Sequence, residues 1–336
     1  MKRLMLRLLA LALLASSSAQ NAEAKTIKIK LATVAPKGST WHELLKDLQA
    51  AWDRVSDGQV QLRIYAGGVA GDEPQVMKKM GINNYHAALI TSQGLGSIDR
   101  SPRVFTIPRL LKTNEELDQA MDIMAPEMER RLAEKGYIVL AWADAGWVKF
   151  FVPSPGTSVD AVRAHKLFSW AGDAEGLSLW KSAGFNVVPL PLPELVTGLQ
   201  TRLIDAFDTM PYYALAIQAF RHTEYMIDMN WAPLPGALVI TAKTWDKVPD
   251  ELKPALMAEA EKFAARFRTE TRNMDADAVE AMKKRGLKVV TPTPEQIVEW
   301  DAEIVRFYPD IRGVYVSEED FDWFESVVQQ VRDGAP

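Results

Sequence analysis

The feature that most limits how this chain can fold is a helical pattern of unusual length near its carboxyl end. From about Asp250 to Arg285, apolar residues recur three or four positions apart, and Gly286 ends the run. At a rise of 1.5 Å per residue, such a helix is on the order of 50 Å long, which is more than one small lobe can cover. The pattern therefore predicts one helix that spans two lobes. The alternative is two shorter helices that are separated by a break near residues 271–273.

The rest of the chain alternates short strand patterns with helical ones, which is typical of an α/β fold with mainly parallel sheets. A first series runs from a strand at 26–32 to a strand at 138–142. A second series of strands and helices begins at Val148. A strand at 237–241 is then expected to join the elements of the first series. We therefore predict two lobes. Lobe I comprises residues 25–145 and about 237–268, and lobe II comprises residues 146–236 and about 269–331.

The first 24 residues have the layout of a secretory signal peptide. Basic residues precede an apolar run from Leu8 to Ala15, and Ala22-Glu23-Ala24 is a suitable cleavage motif. The apolar run is shorter than the roughly 20 residues that a membrane-spanning helix needs. We therefore predict cleavage after Ala24 and a soluble, periplasmic mature protein.

The sequence carries no recognisable catalytic or metal-binding motif. Its four His residues are dispersed, it has no Cys, and no nucleophile elbow or phosphate-binding loop is present. Removal of residues 1–24 leaves 36 basic and 43 acidic residues, a net charge of −7, which argues against nucleic acid as a partner. These features predict a protein that is not an enzyme, needs no cofactor and binds a small molecule between its lobes.

Several short segments, taken in order, resemble the solute receptors of tripartite ATP-independent periplasmic (TRAP) transporters, of the DctP type. They are Ala35-Pro36-Lys37-Gly38, Pro108-Arg109-Leu110-Leu111, Leu132-Ala133-Glu134-Lys135-Gly136, Lys166-Leu167, Gly184-Phe185-Asn186-Val187-Val188-Pro189, Leu199-Gln200-Thr201-Arg202-Leu203-Ile204-Asp205, and Trp245 with Val248-Pro249. The resemblance implies a periplasmic binding protein fold, in which crossing strands join two α/β lobes and a long helix lies behind both. It also implies TRAP membrane permease subunits as partners and allows an additional helical-repeat periplasmic subunit.

Receptors of this type usually hold an organic acid through an arginine on a strand of the second lobe. The resemblance places Phe168 at that arginine position, Trp147 at that of a second arginine, and Met210 at that of an asparagine. Leu192 stands where the family often has a ring, and Trp170 shares a strand face with Phe168. The main hypothesis is therefore a small, neutral, apolar or aromatic ligand, with a quaternary ammonium ion as a further option.

Strand ends supply the other candidate contacts, because ligands of open α/β sheets lie beyond the carboxyl ends of the strands. These candidates are Ala35, Trp41, Thr91, Ser92, Gln93, Asp144, Asp208, Tyr212 and Trp231.

Two alternatives remain for the function. The first is an organic-acid receptor in which Lys149, Arg163 or Arg202 supplies a relocated cation. The second is a periplasmic lipid carrier that works without a permease.

Overall fold

Two β-sheets form the middle layers of two lobes in this computed structural model, which describes residues 26–334. The strands are β1 (Ile27–Thr33), β2 (Val60–Tyr65), β3 (Ala87–Thr91), β4 (Tyr137–Trp147), β5 (Lys149–Val152), β6 (Leu167–Trp170), β7 (Val187–Leu190), β8 (Phe207–Thr209), β9 (Tyr225–Ile227), β10 (Pro233–Thr241) and β11 (Lys288–Val290). The sheet of lobe I has the strand order β2-β1-β3-β10-β4. In lobe II, the order β11-β9-β5-β8 continues into β6-β7 through a parallel bridge between Leu167 and Ala206. The predicted signal peptide and its cleavage after Ala24 lie outside the described residues.

Helices cover these sheets. They are α1 (Thr40–Val55), α2 (Glu73–Gly81), α3 (Ser92–Leu95), α4 (Asn114–Glu134), α5 (Val159–Arg163), α6 (Ala174–Ser182), α7 (Leu195–Gln200), α8 (Pro211–Ala216), α9 (Ala242–Trp245), α10 (Lys253–Lys283), α11 (Pro294–Ile311) and α12 (Glu318–Gly334), with 3-10 turns at Ser101–Thr106, Leu192–Glu194 and Ala219–His222. Local sequence fixes where they begin, since the hydroxyls of Ser39, Thr113 and Thr293 accept backbone N–H bonds in the first turns of α1, α4 and α11. Within residues 26–334, no helix combines the length and the apolar character needed to cross a membrane.

The chain passes between the two sheets twice in extended form, and these two passages are bonded to each other. β4 of lobe I runs almost directly into β5 of lobe II, and the chain returns through β9 and β10. Between the sheets, the backbone N–H of Val148 donates to the carbonyl of Ala232 (2.8 Å). The N–H of Trp231 donates to the carbonyl of Val148 (3.0 Å). The predicted crossing strands are therefore confirmed.

The long helix α10 is continuous from Lys253 to Lys283, so the predicted single helix is confirmed and the alternative break near 271–273 is wrong. It packs on α1 and β4 of lobe I and on α8 of lobe II. Two indole N–H groups of α1 donate to it. Trp41 donates to the hydroxyl of Thr271 (2.9 Å), and Trp52 donates to the carbonyl of Leu256 (3.0 Å).

The C-terminal helix α12 lies on lobe I. Its apolar side packs against α4, and Asp320 of α12 forms an ion pair with Arg131 of α4 (2.6 Å). This position differs from the predicted division of the chain, which assigned residues 269–331 to lobe II. The other predicted lobe boundaries stay predictions.

We predict that shortening one buried side chain of α10 weakens the whole fold. Leu256 is fully buried, so Leu256→Ala should lower the free energy of unfolding by about 2–5 kcal/mol through lost contacts and a residual cavity. The matched control is Glu261→Ala, an exposed position five residues along the same helix, which should change stability little. Urea unfolding followed by circular dichroism measures both variants. Equal midpoints for the two variants would contradict the packing role of α10.

Candidate ligand-binding site

A cavity of about 310 Å³ lies between the lobes, at the carboxyl ends of strands from both sheets. Lobe I contributes the segments that follow β1 and β3, and lobe II contributes residues 168–170 of β6 and 208–210 at the end of β8. Helices α6 and α11 close the far side. This is the place where open α/β sheets bind small molecules.

Ten of the fourteen predicted contact residues line the cavity. They are Ala35, Trp41, Thr91, Gln93, Phe168, Trp170, Leu192, Asp208, Met210 and Trp231. Their contact with a ligand stays a prediction. The other four, Ser92, Asp144, Trp147 and Tyr212, lie outside the lining, which corrects the positions expected for them.

Trp147 is displaced from the cavity by the glycine before it. β4 presents Ala143 and Ala145 to the cavity, as strand alternation requires, and strict alternation would place residue 147 there next. Gly146 has φ of 99°, a conformation that glycine adopts readily and that interrupts the alternation, so Val148 lines the cavity instead. Trp147 packs with the apolar residues of α4 and α12 and donates its indole N–H to Asn114 Oδ1 (2.8 Å).

The other three corrections also have local causes. Asp144 alternates with the cavity-lining alanines of β4, so it faces α10 and accepts a hydrogen bond from Arg272 Nε (3.1 Å). Tyr212 turns its hydroxyl to the backbone N–H of Thr40 (2.7 Å), and Tyr213 lines the cavity in its place. Ser92 begins α3 and is fully buried within lobe I.

A second part of the wall was missed by the sequence predictions. It comes from α6, the segment after it, and α11: Leu179, Trp180, Ala183, Phe185, Trp300, Ile304, Phe307 and Ile311. In α11 the signal was present, because these apolar residues recur three or four positions apart. In α6 it was weak, since no residue of that helix is fully buried.

Aromatic rings dominate the wall. Trp41, Trp170, Trp180, Trp231 and Trp300 line it, which is half of the 10 Trp residues in the chain. The rings of Trp180 and Trp231 stack with centroids 5.4 Å apart, and Trp231 meets Trp300 edge-on at 5.4 Å. Rings held in this way form a preordered apolar surface for a ligand.

None of the residues that line the cavity is Lys, Arg or His. The three cations that could replace the missing arginine have other partners or positions. Lys149 pairs with Asp228 (2.7 Å), Arg163 pairs with Glu303 and stacks on Phe185, and Arg202 is exposed.

Two acidic residues of the wall, Asp72 and Glu73, are held by lobe I itself. Asp72 caps α2 and accepts the backbone N–H of Glu73 (2.9 Å). Glu73 accepts the backbone N–H (2.9 Å) and the hydroxyl (2.7 Å) of Thr91. Burial raises the pKa of Glu73 to about 7, although its bonds to Thr91 oppose the shift.

Three further acidic residues of the wall belong to lobe II. Asp173 accepts the backbone N–H of Gly176 (3.0 Å) at the start of α6, and burial raises its pKa. Glu303 pairs with Arg163. The carboxyl of Asp208 makes no hydrogen bond or ion pair with any side chain of residues 26–334, and burial raises its pKa to about 7.

The lobes are in contact across the mouth of the cavity. Asp72 Oδ2 of lobe I accepts the indole N–H of Trp170 (2.5 Å) and the backbone N–H of Leu192 (3.1 Å), both of lobe II. Arg100 of lobe I also pairs with Glu175 of α6 (2.6 Å). The structure is therefore a closed form, and one carboxylate joins the two walls.

Comparison with known proteins identifies the family of this arrangement. The family model DctP, bacterial extracellular solute-binding protein, family 7, matches residues 31–312. A solute-binding protein of Chromohalobacter salexigens is 22% identical over 302 residues, which are 82% of this chain and 85% of the relative. The 2,3-diketo-L-gulonate-binding periplasmic protein of Escherichia coli is 20% identical over 246 residues, 70% of this chain and 72% of the relative.

Solved structures share the architecture. The sugar acid binding protein of Advenella mimigardefordensis, in complex with galactonate, superposes with a TM-score of 0.85 at 18% identity, covering 91% of this chain and 99% of that one. A TRAP periplasmic solute binding protein of Pseudomonas putida with bound D-glucuronate gives 0.80 at 19% identity, covering 92% and 97%. The predicted two-lobed α/β fold is therefore confirmed. The sheets are mixed and not mainly parallel, because β10 runs antiparallel to β3 and β4, and β5 runs antiparallel to β8 and β9.

We predict that the Asp72–Trp170 bond stabilises the closed form. Trp170→Phe keeps an aromatic ring and removes only the N–H donor, and a hydrogen bond to a charged group contributes about 1.5–3 kcal/mol. The open population of the ligand-free protein should rise roughly tenfold or more, since 1.4 kcal/mol changes an equilibrium constant by a factor of ten. Small-angle X-ray scattering would show a larger radius of gyration.

The matched control is Trp142→Phe. The indole N–H of Trp142 donates to Glu129 Oε1 (2.8 Å), and both residues belong to lobe I. Scattering from this variant should match that of the wild type. A Trp170→Phe protein as closed as the control would show that Asp72 does not hold the lobes together.

Proposed function

The chain belongs to the DctP family of TRAP solute-binding proteins, and we propose that its cavity receives a small ligand that is mainly apolar or aromatic and carries no carboxylate. It is a binding protein rather than an enzyme. Receptors of this family are periplasmic, bind small molecules and deliver them to membrane permease subunits. A helical-repeat periplasmic subunit as a further partner stays a prediction.

One observation carries the ligand class: the cavity wall has no cationic side chain. A carboxylate enclosed there would lose its hydration without gaining an ionic partner, which costs several kcal/mol. Any of the five acidic side chains that is ionised would repel it as well. An apolar or aromatic ligand avoids both penalties and gains about 25 cal/mol for each Å² of apolar surface that it buries.

A second candidate is an organic acid, and the comparisons favour it over the apolar ligand. The solved relatives include receptors with bound galactonate, L-gulonate and D-glucuronate, all of them carboxylates. Their identities of 18–19% support the fold rather than the ligand class. In this chain an acid would have to be held by neutral donors, because Lys149, Arg163 and Arg202 do not line the cavity. The carboxyls of Glu73 and Asp208, with pKa values of about 7, are such donors when protonated.

The third candidate is a periplasmic lipid carrier without a permease. No specific contact of the cavity favours it over a transporter-linked receptor, so it stays a prediction.

We predict that the wild type binds neither galactonate nor D-glucuronate at roughly 1 mM, which corresponds to about −4.1 kcal/mol of binding free energy. Phe168→Arg should acquire sugar-acid binding, because its guanidinium would supply the missing bidentate partner on β6. Tryptophan fluorescence and isothermal titration calorimetry measure both proteins. Neutral indole serves as the apolar probe, and the wild type should bind it more tightly than either acid.

Phe168→Leu is the control, since it changes the ring without adding a charge and should acquire no affinity for sugar acids. Tight binding of galactonate or D-glucuronate by the wild type would overturn the proposed ligand class and favour the organic-acid receptor. The family assignment would stand in either case.

A further inference from the structure

The five acidic side chains of the cavity wall differ in their hydrogen-bond and ion-pair partners. Asp72 and Glu73 accept bonds from neighbouring backbone N–H groups, and Asp173 caps α6. Glu303 has the guanidinium of Arg163. Four of the five therefore have partners in other residues of the protein, and these partners explain their positions without a ligand.

Asp208 is the exception. It lies on β8, whose pairing with β5 places it opposite the fully buried Phe150. The bridge between Leu167 and Ala206 brings β6 alongside, so that Ser169 is its neighbour on the other strand. Both Asp208 and Ser169 line the cavity. Among residues 26–334, no cationic or hydrogen-bonding side chain meets the Asp208 carboxyl.

Within the described part of the chain, the only partner of the Asp208 carboxyl is the backbone N–H of Asp208 itself, so no other residue there offsets its charge. Enclosure of an ionised carboxylate in apolar surroundings is costly, so the group either takes up a proton or pairs with a cation that enters with the ligand. The surrounding wall suits a cation, because the faces of Trp and other aromatic rings attract positive charge. Five Trp residues line this cavity, and no side chain on the wall carries a competing positive charge.

We infer that Asp208 forms a subsite for a protonated amine, so that the ligand of this receptor is an organic cation with a mainly apolar or aromatic body. This inference rests on the proposed function, which excludes a carboxylate. The ammonium pairs with the Asp208 carboxylate at the end of β8, and the body of the ligand lies against the rings. The net charge of −7 after signal cleavage also favours the approach of cations over anions.

Three probes of the same size separate the possible ligand classes: 2-phenylethylamine, 2-phenylethanol and phenylacetate. They share a ring and a two-carbon length, and at pH 8 they are cationic, neutral and anionic. Isothermal titration calorimetry should give the order amine, then alcohol, then acid, with the amine at least tenfold tighter than the alcohol. Asp208→Asn should remove this preference and bring the affinities for the amine and the alcohol within about twofold of each other.

The pH dependence provides a second readout. A proton and an ammonium compete for Asp208, whose pKa is about 7 in the free protein, so amine affinity should rise as the carboxyl ionises. Between pH 6 and pH 8 the rise should approach tenfold, because the ionised fraction increases by about that factor. The affinity for the neutral alcohol should not follow this curve. Asp208→Asn isolates the effect, because Asp72, Glu73, Asp173 and Glu303 also line the cavity and remain in the variant.

Asp205→Asn is the matched control. It removes the same charge three residues earlier, keeps an acceptor for the backbone N–H of Lys166 (2.8 Å), and lies outside the cavity wall. Its probe order should equal that of the wild type. Thermal unfolding at pH 8 checks folding, and Asp208→Asn should melt no lower than the wild type, because it replaces an ionised carboxyl whose pKa burial has raised.

The outcomes distinguish the two proposals. Equal affinities for the amine and the alcohol, or an amine preference that survives Asp208→Asn, would overturn the amine subsite and leave the apolar-ligand proposal intact. Tightest binding of phenylacetate would overturn both.

Discussion

Two backbone hydrogen bonds join the two extended passages of the chain between the lobes, and the other contacts between the lobes are arranged around them. The two bonds link Val148 with Trp231 and Ala232, in the short stretch where neither sheet supplies a neighbour. The long helix α10 supports the same place, because its Asp275 accepts the backbone N–H of Tyr212 (3.0 Å) at the start of α8. A side chain at residue 146 would collide with Asp275, so glycine is required where β4 leaves lobe I. Val148, Trp231 and Ala232 of this stretch also line the cavity.

This arrangement assigns different roles to the two faces of β4. The face with Ala143 and Ala145 belongs to the cavity, and small side chains there leave room for a ligand. The opposite face carries Asp144, which meets Arg272 of α10 together with Asp118 of α4. Charge is thus concentrated behind the strand, where ion pairs satisfy it, and the cavity side remains apolar. Arg163 pairs with the wall residue Glu303 but does not itself line the cavity.

Sequence patterns predicted the parts of the structure that local periodicity determines. The spacing of apolar residues along α10, the strand–helix alternation and the segments at strand ends all depend on neighbours in the chain. These patterns, together with the family resemblance, predicted the fold and ten residues of the cavity wall. Trp147 could not be placed in this way, because its direction depends on the positive φ of Gly146. The partners of the acidic residues could not be predicted from the sequence either, because they come from distant segments of the chain. Arg163 and Glu303 are 140 residues apart, and only the tertiary structure shows that this arginine is already in an ion pair.

The polar contacts between the two lobes affect which interactions a ligand would add to the closed form. Asp72 joins Trp170 and Leu192, and Arg100 joins Glu175, so protein groups already form the polar bonds between the lobes. A ligand with its own strong charge at the mouth would compete with these bonds instead of adding to them. Under the proposed ligand class, the ligand would add contacts with the apolar wall and place a cation beside the Asp208 carboxyl. A ligand stabilises a closed state only through interactions that the open state lacks, so in this proposal the ring contacts and the charge pair at Asp208 are the interactions that favour closure. The chemistry of the ligand is therefore determined by the interior of the cavity, and the family fold leaves it open.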